Sequence, residues 1–440
     1  MNRKTLGIVA AAVALTLPWI GSSLLGFAHG YSTLTTVAIS GVGVLGASFL
    51  LTWGAETAEK DVPRAFAIAV LAILAVAPEY AVDALYAWNA GQFAGTPRGI
   101  EAGNLAVANM TGANRILIGI GWAGIALFTI FRSGSDRDPS VTRKDGFLAD
   151  TISLDKDIGL EIVFLLLATV WAFLVPFGGG IDVYDTLFLV SLYVAYILVI
   201  LRGDPDEVEE HVGVPATLQR LPKPQRIATV LGLFLYSGLV IFTAVEPFAH
   251  GLEALGQQVG VPPFFMIQWV APLASESPEL IAVAVLVSKA RSTAGFNALI
   301  SSKLNQWTLL IGTLAVVYSI ALGRYGVLAF EPKQAAEIWI TAAQSLFAVA
   351  LIVNLEFSVR EAVVLFLLFI SQVVLEFLIL RDLIQVWFST YELLLGFTAL
   401  YLVLSLGLFV TRRKAFATQF SRASTTIRDA VSDDSATEAL

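Results

Sequence analysis

Two proline-glutamate pairs, Pro78-Glu79 and Pro278-Glu279, each fall in the middle of an apolar run long enough to cross a bilayer. A proline in mid-helix removes one backbone hydrogen bond and frees a carbonyl one turn earlier. The glutamate sets a carboxylate beside that carbonyl. The combination is a site of hard oxygens, suited to Ca2+, Mg2+, Na+ or Mn2+ rather than to thiolate-seeking metals. An ionisable side chain inside a span is costly unless it is paired or solvated, so each of these glutamates marks a functional position. The competing reading for both is a buried, hydrogen-bonded structural acid.

Other groups gather around the two pairs. Asp83 follows Glu79 by four residues and Glu276 precedes Glu279 by three, which puts each acid on its glutamate's helical face. Ser275 adds a hydroxyl. Each of the two runs is followed by a polar span rich in small residues. The first holds Asn109, Thr111, Gly112, Asn114 and Arg115; the second holds Ser302, Lys303, Asn305 and Gln306. Arg115 and Lys303 read either as fixed cations occupying space that would otherwise hold an ion, or as residues that pair with a carboxylate or snorkel to an interface. Glu246, Glu376 and Glu392 lack this setting and read as packing or interface residues, while His29 and His250 give no metal spacing. No His-Glu-x-x-His, Gly-x-Ser-x-Gly or Gly-x-Gly-Asp pattern occurs, Tyr184-Asp185 lacks a partner motif, and there is no cysteine. An intramembrane enzyme is therefore disfavoured, and no cofactor is expected beyond the ions themselves.

The elements that must position these residues are membrane helices. The 440 residues are 57% hydrophobic and 14% charged, with a mean hydropathy of +0.76, against roughly 25% charged for an ordinary soluble domain. The net charge of -8 argues against nucleic acid as a partner. At about 20 apolar residues per crossing, the chain has room for about twelve helices. They are expected near 6–28, 33–53, 64–88, 102–132, 158–177, 183–201, 226–248, 264–288, 296–322, 335–354, 359–380 and 387–411, the fourth being polar enough to be broken. The first run is either a signal peptide or a helix. It is longer than the usual signal core and no small-x-small cleavage site follows, which favours the helix.

Placing the N-terminus in the cytoplasm leaves only Arg98, Arg324, Lys333 and Arg381 outside and Arg115 and Lys303 within helices; the rest of the 27 Lys and Arg face the cytoplasm. The positive-inside rule predicts that asymmetry. The fold expected is thus an all-α integral membrane protein with both termini cytoplasmic, in the cell membrane, with the lipid bilayer and inorganic cations as its partners. Residues 1–202 form an N-terminal half and 226–411 a C-terminal half. Between them lies a cytoplasmic linker, 203–225, whose acids Asp204, Asp206, Glu207, Glu209 and Glu210, with His211, read as a solvated charge run sooner than a divalent-ion site. The tail, 412–440, reads as disordered. The third and eighth helices run in opposite directions across the membrane, so the two-helix units at about 64–132 and 264–322 are an inverted repeat, the arrangement of secondary transporters with a midplane site.

On these residues the chain resembles the cation/calcium exchanger superfamily, which includes sodium/calcium and proton/calcium antiporters. The resemblance covers about 75–122 and 274–312. Ser275 and Pro278-Glu279 fit the family's Gly-Thr-Ser-x-Pro-Glu-Leu element, Ser302 falls at the serine of Gly-Ser-Asn-x-x-Asn, and Gln306 stands at its second asparagine; Pro78-Glu79 and Gly112-Ala113-Asn114 match in the first repeat. Val76, Glu276, Leu117 and Lys303 depart from the pattern. The resemblance implies an alternating-access antiporter in which Glu79, Glu279, Asp83, Glu276, Ser275, Ser302, Asn305, Gln306, Asn109 and Asn114 bind the ions. Ca2+ exchanged for Na+ is the first expectation, H+ coupling the alternative, and a non-transporting scaffold a third reading. Asp83 and Glu276 are expected to form an acidic outer vestibule.

Overall fold

The structure is a computed structural model and describes residues 3–62, 76–132, 138–156, 158–202 and 212–437. Its helices are α1 (Arg3–Leu24), α2 (Thr33–Ala58), α3 (Ala77–Gln92), α4 (Pro97–Arg132), α5 (Gly159–Ala172), α6 (Val183–Arg202), the short α7 (Val214–Leu218), α8 (Lys223–Val259), α9 (Pro263–Ser288), α10 (Ser292–Leu322), α11 (Pro332–Ile352), α12 (Val359–Leu380), α13 (Thr390–Thr411) and α14 (Arg413–Thr437). Among the described residues, eleven helices are long and apolar enough to cross a membrane. They coincide with the expected spans except for the one at 64–88, whose first half, 64–75, lies outside the described residues and whose second half is the start of α3. The chain is a multi-pass integral membrane protein.

The chain packs as two compact units, one of Met1–Tyr86 with Asp206–Val285, the other of Ala87–Pro205 with Leu286–Leu440. The units therefore do not follow the two sequence halves. Each takes segments from both.

In the first unit, α1, α2 and α8 lie together. Small residues let the helices approach, as expected where lipid supplies no hydrophobic force between them: a Cβ on Gly46 would lie 2.7 Å from the carbonyl of Ala12. Trp19 Nε1 donates to Thr243 Oγ1 at 3.1 Å. At one end Arg226 grips Asp61 through Nε and Nη2, both at 2.5 Å, and its Nη1 donates to the carbonyls of Gln219 and Leu221. That guanidinium holds the Asp61 carboxyl below its ordinary value. The acidic linker cluster itself, 204–211, lies outside the described residues.

In the second unit α11 is buried on nearly every side, polar residues such as Glu337 and Gln344 included. Two small sheets that the sequence did not announce tie the ends of its helices. β1 (Val141–Thr142), β2 (Thr151–Ser153) and β5 (Glu356–Ser358) pair antiparallel in the order β1-β2-β5, with Ile152 opposite Phe357, beside the start of α5 and the end of α11. At the other ends of those two helices β3 (Gly180–Ile181) pairs with β4 (Leu328–Ala329). The tail also differs from expectation. Residues 413–437 are helical, and α14 packs against α5 and α6 through Gln419, Ala423 and Ala430, which recur at helical spacing and are buried. A polar composition concealed that narrow buried face.

Candidate ion-binding site

In the first unit, carboxylates stand on α3, α8 and α9. α3 begins at Ala77, so Pro78 stands in its first turn, where a missing N–H costs nothing, and not in mid-helix as the sequence suggested. The amides of Glu79 and Tyr80 both reach the Val76 carbonyl, at 3.1 and 3.3 Å. Glu79, Asp83 and Tyr86 recur at helical spacing and are 1%, 0% and 1% exposed. The hydroxyl of Ser275, on α9, donates to the Glu79 carboxylate. Ser275 and Glu79, 196 positions apart in sequence, thus meet in space.

Pro278 does lie inside a helix, and so does Pro272 six residues before it. Each ring excludes the bond to the carbonyl four residues earlier, which releases the carbonyls of Gln268 and Ala274 on α9. The sequence reading used only the second proline. Glu279 is half-buried and Glu276 is 3% exposed. Asp83 and Glu276 lie within the protein, on helix faces covered by packing. One carboxylate was missed. Tyr86 Oη donates to Glu253 Oε1 at 2.7 Å. Glu253 had been left in a loop because the apolar run ends near 248, whereas α8 continues to Val259.

In the second unit, amides and hydroxyls stand on α4 and α10. Neither polar span is broken. Each instead carries a π-helical turn, Leu117–Trp122 in α4 and Gln306–Leu310 in α10. Each turn begins three residues after a position that the repeat makes equivalent, Asn114 in one and Lys303 in the other. Single π turns inside α-helices are frequent at functional sites. The two equivalent positions meet: Lys303 Nζ donates to Asn114 Oδ1 at 2.6 Å, and the same ammonium sits 4.1 Å from the centre of the Trp307 ring. Asn114 Nδ2 in turn donates to the Met110 carbonyl. Asn109, Asn114, Lys303 and Gln306 are fully buried and Asn305 nearly so, while Ser302 is half-buried with Gln306 Nε2 at 3.5 Å from its hydroxyl.

Arg115 resolves in favour of pairing. It is 1% exposed and its two terminal nitrogens donate to Glu337 on α11 and to the side-chain oxygen of Gln372 on α12. Gln372 Nε2 then donates to Glu376 Oε2 at 2.9 Å, and Lys333 Nζ lies 3.2 Å from Glu376 Oε1. Glu376, set aside in the sequence as a packing residue, is thus part of a buried ionic chain. Neither that chain nor Glu337 is visible in local sequence, since its members come from three separate helices.

The sequence model of one family, described as sodium/calcium exchanger protein, matches residues 32–202 and 229–378. Among solved structures, a crystal structure of the H+/Ca2+ exchanger CAX is 43% identical over 97% of this chain and 99% of that one, with a TM-score of 0.84. Native YfkE is 15% identical over 86% of this chain and 100% of its own, with a TM-score of 0.57, and the sodium-calcium exchanger NCX_Mj is 13% identical over 78% and 99%, with a TM-score of 0.50. These last two bear on the fold alone. Among curated protein sequences none matches.

Proposed function

The chain belongs to the sodium/calcium exchanger family, and from that premise we propose that it is a secondary active antiporter, not an enzyme, that exchanges Ca2+ for H+ by alternating access. Glu79 and Glu279 are the carboxylates over which the two ions compete. Ser275, Asp83 and Glu276 assist them, and Asn109, Asn114, Ser302, Asn305 and Gln306 supply neutral oxygens. Two acids that hold either one divalent ion or protons couple the fluxes by exclusion.

The observation that carries the choice of coupling ion is Lys303. Its ammonium rests on the Asn114 side-chain oxygen in a fully buried setting. The ammonium occupies that oxygen and so denies it to a Na+ ion, and Na+ coupling has the weaker physical case. The H+/Ca2+ exchanger that is 43% identical agrees with this reading. Beyond the eleven spans described, we read a twelfth at 64–88, two inverted halves joined by the linker 203–225, both termini in the cytoplasm, and residence in the cell membrane. The lopsided distribution of Lys and Arg, the two family-matching blocks and the paired π turns support that topology.

The test is uptake of radioactive calcium into proteoliposomes holding an outward H+ gradient, an outward Na+ gradient or neither, for the wild type, Glu79→Gln and Glu279→Gln. Uptake under the H+ gradient, lost in both variants, is expected. Uptake driven by Na+ alone would overturn the coupling ion. No uptake under any gradient would overturn Ca2+ as the substrate and return attention to the scaffold reading.

A further inference from the structure

The ionic chain behind Arg115 holds two acids and two bases. Arg115 and Glu337, with side chains 1% and 2% exposed, face each other, and neither can leave. Glu376 is 0% exposed and is approached on one side by the neutral amide of Gln372 and on the other by Lys333. Lys333 is the exception in the chain. It is the second residue of α11, its side chain is 21% exposed, and the residues before it, Glu331 and Pro332, are exposed. Its flexible stem lies at the surface while its ammonium reaches inward.

That asymmetry decides which group can change charge. Fully ionised, the four groups are neutral overall. Protonating Glu337 would strand Arg115 as an uncompensated buried cation, which is costly. Protonating Glu376 strands nothing, provided Lys333 swings its ammonium into water, as long basic side chains readily do. The interior is then neutral again, with Arg115 and Glu337 still paired. Other charged groups do not alter the balance. From α13 the buried Tyr401 faces Arg115; Arg132, on the last turn of α4, lies over the Phe128 ring; Glu361, in the first turn of α12, is paired with Arg412, and Glu356 of β5 with Lys144.

We infer that Glu376, with Lys333 as its detachable counter-ion, is a proton-binding site separate from the transport carboxylates. The transfer balances simply. A Lys333 N–H breaks as an O–H forms on Glu376 Oε1, and the amine, turned outward, takes a proton from water. Net, one proton enters and the tie between the first turn of α11 and α12 is released. α11 then remains held at that end by the paired hydrogen bonds between Asn104 and Glu331, at 3.0 and 3.1 Å. The site does not depend on whether H+ or Na+ is exchanged at Glu79 and Glu279.

The experiment is a pH titration of purified, calcium-free protein followed by infrared difference spectroscopy in the carboxylic-acid carbonyl region. One band that grows on acidification is expected to persist in Glu79→Gln and to be lost in Glu376→Gln. Should Glu376→Gln fail to fold, Lys333→Met leaves the buried helices untouched, and it should move the midpoint of the same band by about one pH unit or more, since a unit charge at close range is removed. A spectrum unchanged in Glu376→Gln, or a midpoint unmoved in Lys333→Met, would overturn the proposal. Because no gradient or transport is involved, that failure is distinct from failure of the antiport reading.

Discussion

Replacing Lys303 with asparagine should turn a fixed cation into a site for a mobile one. The ammonium makes a charge-assisted hydrogen bond to Asn114 and a cation-π contact with Trp307. The first is worth about 1.5–3 kcal/mol and the second about 2 kcal/mol when desolvated. In sodium-free buffer the variant should therefore lose about 3–5 kcal/mol of stability. The new amide oxygen then stands beside that of Asn114, with no positive charge between them. Na+ at about a hundredfold excess over its dissociation constant would return about 2.7 kcal/mol. Thermal unfolding in detergent, with sodium chloride replaced stepwise by choline chloride at constant ionic strength, reads this directly: the variant should gain stability with Na+ and the wild type should not. A variant that is destabilised yet indifferent to Na+ would refute the reasoning, and so would a wild type that responds equally.

Two further outcomes follow from the geometry. Ser275→Ala removes the hydroxyl that donates to Glu79; the loss of one hydrogen bond to a charged group should raise the apparent KM for Ca2+ uptake about tenfold, and an unchanged KM would remove Ser275 from the site. The Arg226 guanidinium holds the Asp61 carboxyl below its ordinary value of 3.8, so this pair contributes stability that is fully present above that pH and is lost as the pH falls through the lower folded value. Acid unfolding of Asp61→Asn, compared with wild type, should show a shallower loss of stability below pH 3.8; identical curves would show the pair to be irrelevant.

The membrane architecture was legible because the bilayer leaves so few solutions. A helix must satisfy its own backbone and span a fixed thickness, and so the expected spans coincide with the described helices. The repeat is a reading of the sequence: Pro278-Glu279 echoes Pro78-Glu79, and each is followed by a polar span rich in small residues. What escaped was everything that depends on a distant partner or on a helix continuing past its apolar run. Glu337 lies 222 positions from Arg115 in sequence, and no local pattern joins them. Glu253 was hidden by the end of an apolar stretch that is not the end of its helix. Pro272, one helical turn and more from the motif, carried no glutamate to draw attention to it. Polar residues in the fourth span suggested a break, and the chain instead accommodated them by winding one turn wider.

Those wider turns bear on how the sequence tolerates change in length. A π turn holds one residue more than an α turn needs. Deleting a residue elsewhere in a membrane helix rotates everything beyond it by about 100°, carrying lipid-facing side chains into the core. Deleting one within Leu117–Trp122 or Gln306–Leu310 would restore an unbroken α-helix and leave the flanking faces in register. Each polar span thus contains one surplus residue, at equivalent places. Single-residue gaps in the chain should survive there, at the cost of the widened turn, where they would be lethal to folding a few residues to either side.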